Sequence, residues 1–417
     1  MRLRLLRLSH TTTIGTLTAR TGCGWIDLAR SDPRFLLAAR TDRSISVYDL
    51  DDQSELFNNM RSVRRAAVIS SGLAHAARIS AVQWFPGDTG LFVSASLDRT
   101  VKVWDSATLQ AAFTFRLEEQ VLAMHMSPAA SSHALIATAT ESPQIRLCDM
   151  KSGALTHSLA GHAGHPAALQ WSPAHDFLLA SGGADGFVRF WDIRKANACI
   201  WAVQHARGSG PAPASQSRTF GKYMVNGLAF TSDGLQIASM AHDERLQLWN
   251  VQSGDNAGVS FGPHFRNRTG MTMRMDITPG ETVQRPLLVC PSDARHVLVF
   301  DLWTGDLVRR LSAHLGRVAC VAVRPDTQAL VSAGPDDPLV LWEPGPAASA
   351  AAEAGAVAAT GTTTWRADAD SDFMRHQHQQ RLAAPARTPA GAAAMAADTA
   401  GADADADAWS DDDGGDG

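Results

Sequence analysis

The sequence predicts an all-β chain made of seven copies of one four-stranded unit, and three observations carry that prediction. An apolar strand, a turn, a strand of small residues, an Asp in a tight turn and a strand ending in aromatic-Asp recur in that order. Tryptophan occurs 11 times against 2 tyrosines, the bias expected of a motif that reuses one Trp. Within each segment apolar residues fall at alternate positions, the period of a pleated strand.

The clearest copy runs Ala167-Ala-Leu-Gln-Trp-Ser-Pro173, Phe177-Leu-Leu-Ala-Ser181, Asp185-Gly186 and Val188-Arg-Phe-Trp-Asp192. A second is Ala81-Val-Gln-Trp-Phe-Pro86, Leu91-Phe-Val-Ser94, Asp98 and Val101-Lys-Val-Trp-Asp105. A third is Val225-Asn-Gly-Leu-Ala-Phe230, Ser239, Asp243 and Leu246-Gln-Leu-Trp-Asn250. Weaker copies end at Val47-Tyr-Asp49, Leu147-Cys-Asp149, Val299-Phe-Asp301 and Leu341-Trp-Glu343, which makes seven repeat ends. Their spacing of roughly 42 to 58 residues compares with about 40–45 for a WD repeat. Two of the longer intervals hold insertions, residues 203–222 and 256–285. The predicted fold is a seven-bladed WD40 β-propeller over residues 1–345, followed by a separate tail over residues 346–417.

A repeated buried Trp needs a partner for its indole N–H, and in WD repeats a Ser or Thr, an Asp and a His supply that network. The expected sets are His162, Ser181, Asp185 and Trp191 in blade four, and His75, Ser94, Asp98 and Trp104 in blade two. Blade seven offers His314, Ser332, Asp336 and Trp342, and blade five Ser239, Asp243 and Trp249. In every set Ser precedes Asp by four residues, so these Asp and His side chains read as structural rather than catalytic. After Glu343-Pro-Gly-Pro346 strand character ends. The outer strand of the last blade is therefore expected from residues 3–8 (Leu-Arg-Leu-Leu-Arg-Leu), the two ends of the propeller zipping the ring shut.

Composition excludes several function classes. Residues 346–417 hold 12 acidic and 4 basic residues, net −8, which leaves 30 acidic and 33 basic in the remainder, net +3. A body so near neutrality lacks the dense basic surface that strong direct nucleic-acid binding needs. The tail, rich in Ala, Gly, Thr and Asp, reads as disordered. Its end, Ala408-Trp409-Ser-Asp-Asp-Asp413, reads either as solvated chain or as a docking peptide anchored by Trp409. The 5 cysteines are scattered, odd in number and never paired as C-x-x-C, which argues against a disulfide framework or zinc site and for a reducing cytosol or nucleus. No segment approaches the ~20 apolar residues that span a membrane. The first residues lack acids until Asp27 and could imitate an organelle transit peptide, but their alternation reads better as a strand. No phosphate loop, zinc-protease helix or nucleophile elbow occurs, and His376-Gln-His378 has no accompanying carboxylate or Cys cluster. The expectation is a non-catalytic protein without a cofactor. Charged residues converging in the central channel would favour a propeller enzyme instead.

The most informative constellation is Trp191-Asp192-Ile193-Arg194. No other repeat has Arg two places after its closing dipeptide; repeat two has Ala107 there. An Arg at that point emerges on the rim, where it is either ordinary solvated surface or a planar donor for a partner. W-D-x-R at a repeat end resembles the signature by which WD proteins dock on the damaged-DNA-binding adaptor of cullin-4 ubiquitin ligases. Val82-Gln-Trp-Phe-Pro-Gly-Asp-Thr-Gly90, Lys102-Val-Trp-Asp-Ser-Ala-Thr-Leu-Gln110, Leu147-Cys-Asp-Met-Lys-Ser-Gly153 and Phe230-Thr-Ser-Asp-Gly-Leu235 resemble the Cockayne syndrome A family of DNA excision-repair proteins. So do Met126-Ser-Pro128, Val225-Asn-Gly-Leu228 and the terminal Trp-Ser followed by acids.

That resemblance implies a nuclear substrate receptor of a cullin-4 ligase in transcription-coupled nucleotide excision repair. Its clients would be stalled RNA polymerase II and the Cockayne syndrome B-like translocase. It assigns adaptor contact to Arg194, with Trp191 and Asp192 building the turn that presents it. The family carries an N-terminal helical segment that adds to adaptor contact, whereas this sequence opens almost at the strand. Either that start is truncated or adaptor binding rests on the rim alone. The alternative is a WD scaffold of another nuclear complex, indifferent to Arg194.

Overall fold

The computed structural model describes residues 6–14, 22–52, 55–57, 60–129, 132–195, 198–205, 223–280 and 285–344. The expectations for the tail, with Trp409, His376 and His378, lie outside the described residues. Seven sheets form a seven-bladed propeller around a central cavity of ≈ 430 Å³. The strands next to the axis are Cys23–Leu28, Ile79–Trp84, Val121–Met126, Pro166–Trp171, Val225–Phe230, Asp276–Ile277 and Cys320–Val323, for blades one to seven in turn. From each, the chain meanders outward, so the ends of the first and third strands of a blade share one face of the ring. The second-to-third turn lies on the other face, and it is tight because Gly186, at φ 78°, and Arg99, at φ 67°, take left-handed backbone there. Alternate side chains pack between sheets, and Trp104, Trp171, Trp191, Trp249 and Trp342 are fully buried.

Closure follows the expected principle with a different stretch of chain. The strand that completes blade seven is Leu6–Ile14 rather than residues 3–8, antiparallel to Asp337–Pro344. Leu8 faces Trp342 and Ile14 faces Leu339, with a register shift between Leu8 and Thr13. The segment must run past the expected end because the third strand of blade seven is itself 8 residues long. A hairpin of Glu55–Phe57 and Met60–Val63 then continues that sheet, Thr13 and Ile14 pairing in parallel with Ser62 and Val63. This hairpin is an insertion between the third and fourth strands of blade one, which the sequence reading did not anticipate.

Blade five departs from four strands. Val225–Phe230, Gln236–Ala241 and Leu246–Asn250 form its sheet, and only an isolated bridge from Trp249 to Asn256 stands where a fourth strand would lie. The chain is instead drawn toward the axis: Met273 N–H donates to Asn226 O at 2.9 Å and Arg274 N–H to Ala319 O at 3.1 Å.

One hydrogen bond recurs from blade to blade. The penultimate side chain of the inner strand accepts the backbone N–H near the end of the next inner strand. Asp27 takes Trp84 N–H (2.8 Å), Gln83 takes Met126 N–H (2.7 Å) and His125 takes Trp171 N–H (3.1 Å). Gln170 takes Phe230 N–H (3.0 Å) and Asp276 takes Val323 N–H (2.9 Å). The two remaining joints carry Ala229 and Ala322 at this position. There, Asn226 holds the carbonyl of Met271 (2.8 Å), and Arg324 ties blade seven to Asp51 of blade one (2.7 Å).

His125 makes this latch acid-sensitive. Burial, with the nearby charges of Arg30 and Arg274, lowers its imidazole to about 3. Protonation therefore favours the unfolded chain, and stability that is complete above pH 6.5 is lost as the pH falls toward 3. By pH 4.5 the loss from this group is up to about 2–3 kcal/mol. His125→Gln, which installs the side chain used at Gln83 and Gln170, is expected to keep the pH 7.5 melting temperature and flatten its decline to pH 4.5. Melting curves of the two proteins across that range check this.

Candidate functional site

Two blades hold the complete expected network. In blade four Trp191 Nε1 donates to Ser181 Oγ (2.7 Å), His162 Nε2 lies 2.7 Å from the same hydroxyl, and His162 Nδ1 lies 2.9 Å from Asp185. In blade two the corresponding distances for Trp104, Ser94, His75 and Asp98 are 2.8, 2.6 and 2.9 Å. One hydroxyl thus accepts from indole and donates to imidazole, which requires the neutral ring with its proton on Nδ1. Burial lowers the His75 and His162 imidazoles and so favours that form. Burial works to raise the Asp185 carboxyl, but the bonds from His162 and Ala163 and the charge of Arg189 hold it at about 2.

Blade seven unites Trp342, Ser332 and His314, at 2.8 and 2.7 Å, while Asp336 lies in the turn between the second and third strands. In blade five Trp249 donates to Ser239 (2.8 Å), and the missing imidazole is His205, 2.9 Å from Ser239 and 3.5 Å from Asp243. Sequence reasoning missed His205 because the insertion at 203–222 separates it from its blade, whereas His75 and His162 stand 19 residues before their Ser.

In blades one, three and six the Trp is replaced, and in blades one and six its hydroxyl partner is replaced too. Register places Tyr48 with Ala38, Cys148 with Thr138 and Phe300 with Cys290 where the others have Trp with Ser. The repeat-closing Trp104, Trp191, Trp249 and Trp342 each keep a Ser hydroxyl, and Tyr48 finds Arg40 instead (3.1 Å). All five cysteines are free thiols, and burial pushes Cys23 and Cys148 up to about 12, which leaves them poor nucleophiles.

The rim is built by a second recurring device. After the third strand, the closing Asp or Asn accepts the N–H two residues on: Asp51, Ala107, Lys151, Arg194, Gln252 and Trp303 in blades one to six, at 2.8–3.1 Å. Whatever occupies that second position is displayed. In blade four Trp191 and Asp192 are buried and Arg194 is 62% exposed. Its Nε and Nη2 fork onto Asp192 (2.9 and 2.8 Å), and its guanidinium lies 4.8 Å from the Phe177 ring centre. The paired bond from Arg194 holds the Asp192 carboxyl below the usual carboxylate range. Nη1 is left for a partner. The same turn in blade six displays Trp303, 56% exposed, an anchor type that the sequence reading passed over because the repeat closes in Phe-Asp.

The central channel does gather charge. Asp27, Arg30, His125, Arg274 and Asp276 line the cavity. Most of these groups are committed to the ring: Asp27 holds Trp84 N–H and Arg274 (2.6 Å), Asp276 holds Val323, and His125 holds Trp171. These bonds tie neighbouring strands together across the channel.

Residues 88–327 match the family model for the nucleolar protein 10-like, N-terminal domain, and residues 68–105 match the WD domain, G-beta repeat. The WD repeat-containing protein ATCSA-1 of Arabidopsis thaliana is 28% identical over 383 residues, covering 76% of this chain and 84% of its own length. Ribosome biogenesis protein YTM1 of Chaetomium globosum is 29% identical over 246 residues, 51% of this chain and 50% of its own. Its Vanderwaltozyma polyspora counterpart is 24% identical over 234 residues, 55% and 46% respectively. The chain spans about half the length of these two relatives. These matches show a WD-repeat protein of the nucleolar protein 10-like and ATCSA-1 type, and they do not single out the excision-repair family that the sequence resembles.

The shared hydroxyl should dominate blade stability. Ser181→Ala leaves two buried groups unpaired and is expected to cost about 1–3 kcal/mol in denaturant unfolding. In a Trp191→Phe background the same change should cost less, a coupling that a double-mutant cycle measures.

Proposed function

The chain belongs to the nucleolar protein 10-like family of WD-repeat β-propellers, and on that premise we propose that it is the substrate-recognition subunit of a cullin-4 ubiquitin ligase acting in transcription-coupled nucleotide excision repair. The observation that carries the proposal is Arg194, displayed on the buried Trp191-Asp192 pair with one edge of its guanidinium open. Support comes from the excision-repair stretches in the sequence and from ATCSA-1, which aligns along most of both chains. WD-repeat propellers are scaffolds, generally without catalysis, and the role is to bring two proteins together. The adaptor of the damaged-DNA-binding family sits at the Arg194 rim. Clients, stalled RNA polymerase II and the Cockayne syndrome B-like translocase, are then held at high effective concentration for ubiquitin transfer. The nucleus is the place of action, in keeping with the family's nucleolar description.

A second reading follows from the YTM1 relatives: a scaffold in ribosome assembly, with the Arg194 turn incidental. The two separate on one measurement, binding of the full chain to purified cullin-4 adaptor. Arg194→Ala is expected to weaken binding by more than about tenfold, and Arg194→Glu to abolish it, with melting unchanged. Binding that ignores both substitutions would sink the ligase reading in favour of the assembly scaffold.

A further inference from the structure

The channel mouth on the face away from Arg194 holds two arginines without an acid. Arg78 stands at the entry to the inner strand of blade two, and Arg317 just ahead of that of blade seven. Residues 266–275, part of the long connection between blades five and six, lie across this opening. Asn226 Nδ2 donates to Asn267 Oδ1 and to the carbonyls of Thr269 and Met271, at 3.2, 3.1 and 2.8 Å. On the far side Thr272 Oγ1 donates to Ala167 O at 2.6 Å. The strap thereby brings Met271 between the two guanidinium groups. Arg78 Nη1 and Arg317 Nη2 each lie 3.3 Å from its sulfur, and Arg317 Nη1 donates to Thr269 Oγ1 at 3.2 Å.

Neither Arg78 nor Arg317 forms an ion pair among the described residues, whereas Arg266 and Arg268 of the same strap both close on Glu244 at 2.7 Å. Two like charges converging on a thioether are poorly matched, since sulfur is a weak acceptor and cannot offset their repulsion. Burial and the neighbouring Arg317 both lower the Arg78 guanidinium, consistent with that strain on its charged form. The place is reachable: Arg78, Thr269, Met271 and Arg317 are half-buried, and Gly270 is exposed with open space around its Cα.

We propose that this mouth binds an acidic peptide segment of a partner protein, one Asp or Glu carboxylate displacing the Met271 sulfur to bridge Arg78 and Arg317. Planar guanidinium groups match a carboxylate by paired N–H bonds. A nucleic-acid backbone would need a row of cations, and the body has 33 basic against 30 acidic residues. The site lies on the face opposite the Arg194 turn, so its occupant and a rim partner can be held together. The inference does not rest on the adaptor reading.

The test uses the full chain and a fluorescein-labelled Glu-rich decapeptide, with its Gln counterpart as control, followed by anisotropy at low salt. The Glu peptide is expected to bind more than about tenfold tighter, with the preference lost in Arg78→Gln/Arg317→Gln. Met271→Glu, which places a carboxylate on the pair, should raise the melting temperature and block the peptide. Equal affinity for both peptides, undiminished binding by the double variant, a lowered melting temperature in Met271→Glu, or tighter binding of single-stranded oligo(dT) would each overturn the proposal. Adaptor binding is expected to be unchanged in these variants and peptide binding unchanged in Arg194→Glu, so the two readings fail separately.

Discussion

The ring depends on a backbone N–H that has no partner within its own blade. Near the end of each inner strand the chain must satisfy that donor in a crowded channel, and in five of the seven joints the preceding blade supplies an acceptor side chain. An unpaired buried N–H costs as much as a lost hydrogen bond, so the latch sets the spacing and tilt of successive sheets. It also accounts for the polar lining of the channel. Asp, Gln, His and Asp again serve in one geometric role, and their chemical variety reflects only that each can offer a lone pair.

Two further devices inherit their geometry from that ring. In blades two, four, five and seven a Ser hydroxyl is shared between Trp and His. In the second device, an Asp or Asn accepts the N–H two residues later and so displays that residue's side chain. The first device is buried, and where Tyr48 or Phe300 replaces its Trp, Ala38 or Cys290 replaces its Ser. The second is exposed, and its displayed residue varies freely between Ala107, Lys151, Arg194 and Trp303. A rigid turn with a variable display is what a scaffold requires, because a partner can be recognised without disturbing the fold.

The two faces accordingly differ in what they display. Arg194 and Trp303 stand in equivalent turns of blades four and six, one offering a planar donor and the other a large apolar surface, the two residue types that dominate binding energy at interfaces. The opposite face is shaped by the strap from blade five to blade six, which closes the channel and gathers Arg78 and Arg317 around Met271.

The sequence by itself determined the seven repeats, the Trp-Ser-His set of blades two, four and seven, and the exposure of Arg194 beside a buried Trp191-Asp192. Each depends on residues close in the chain or at a constant spacing, where strand alternation and turn chemistry act locally. Only the tertiary structure decided the rest. His205 joins Ser239 across an insertion of unreadable length, Leu6–Ile14 meets Asp337–Pro344 from the far end of the propeller, and Arg78 meets Arg317 through a strap that belongs to neither blade. Closure of the ring brings the last two pairs together, and no local pattern encodes a contact whose partners lie so far apart in the chain.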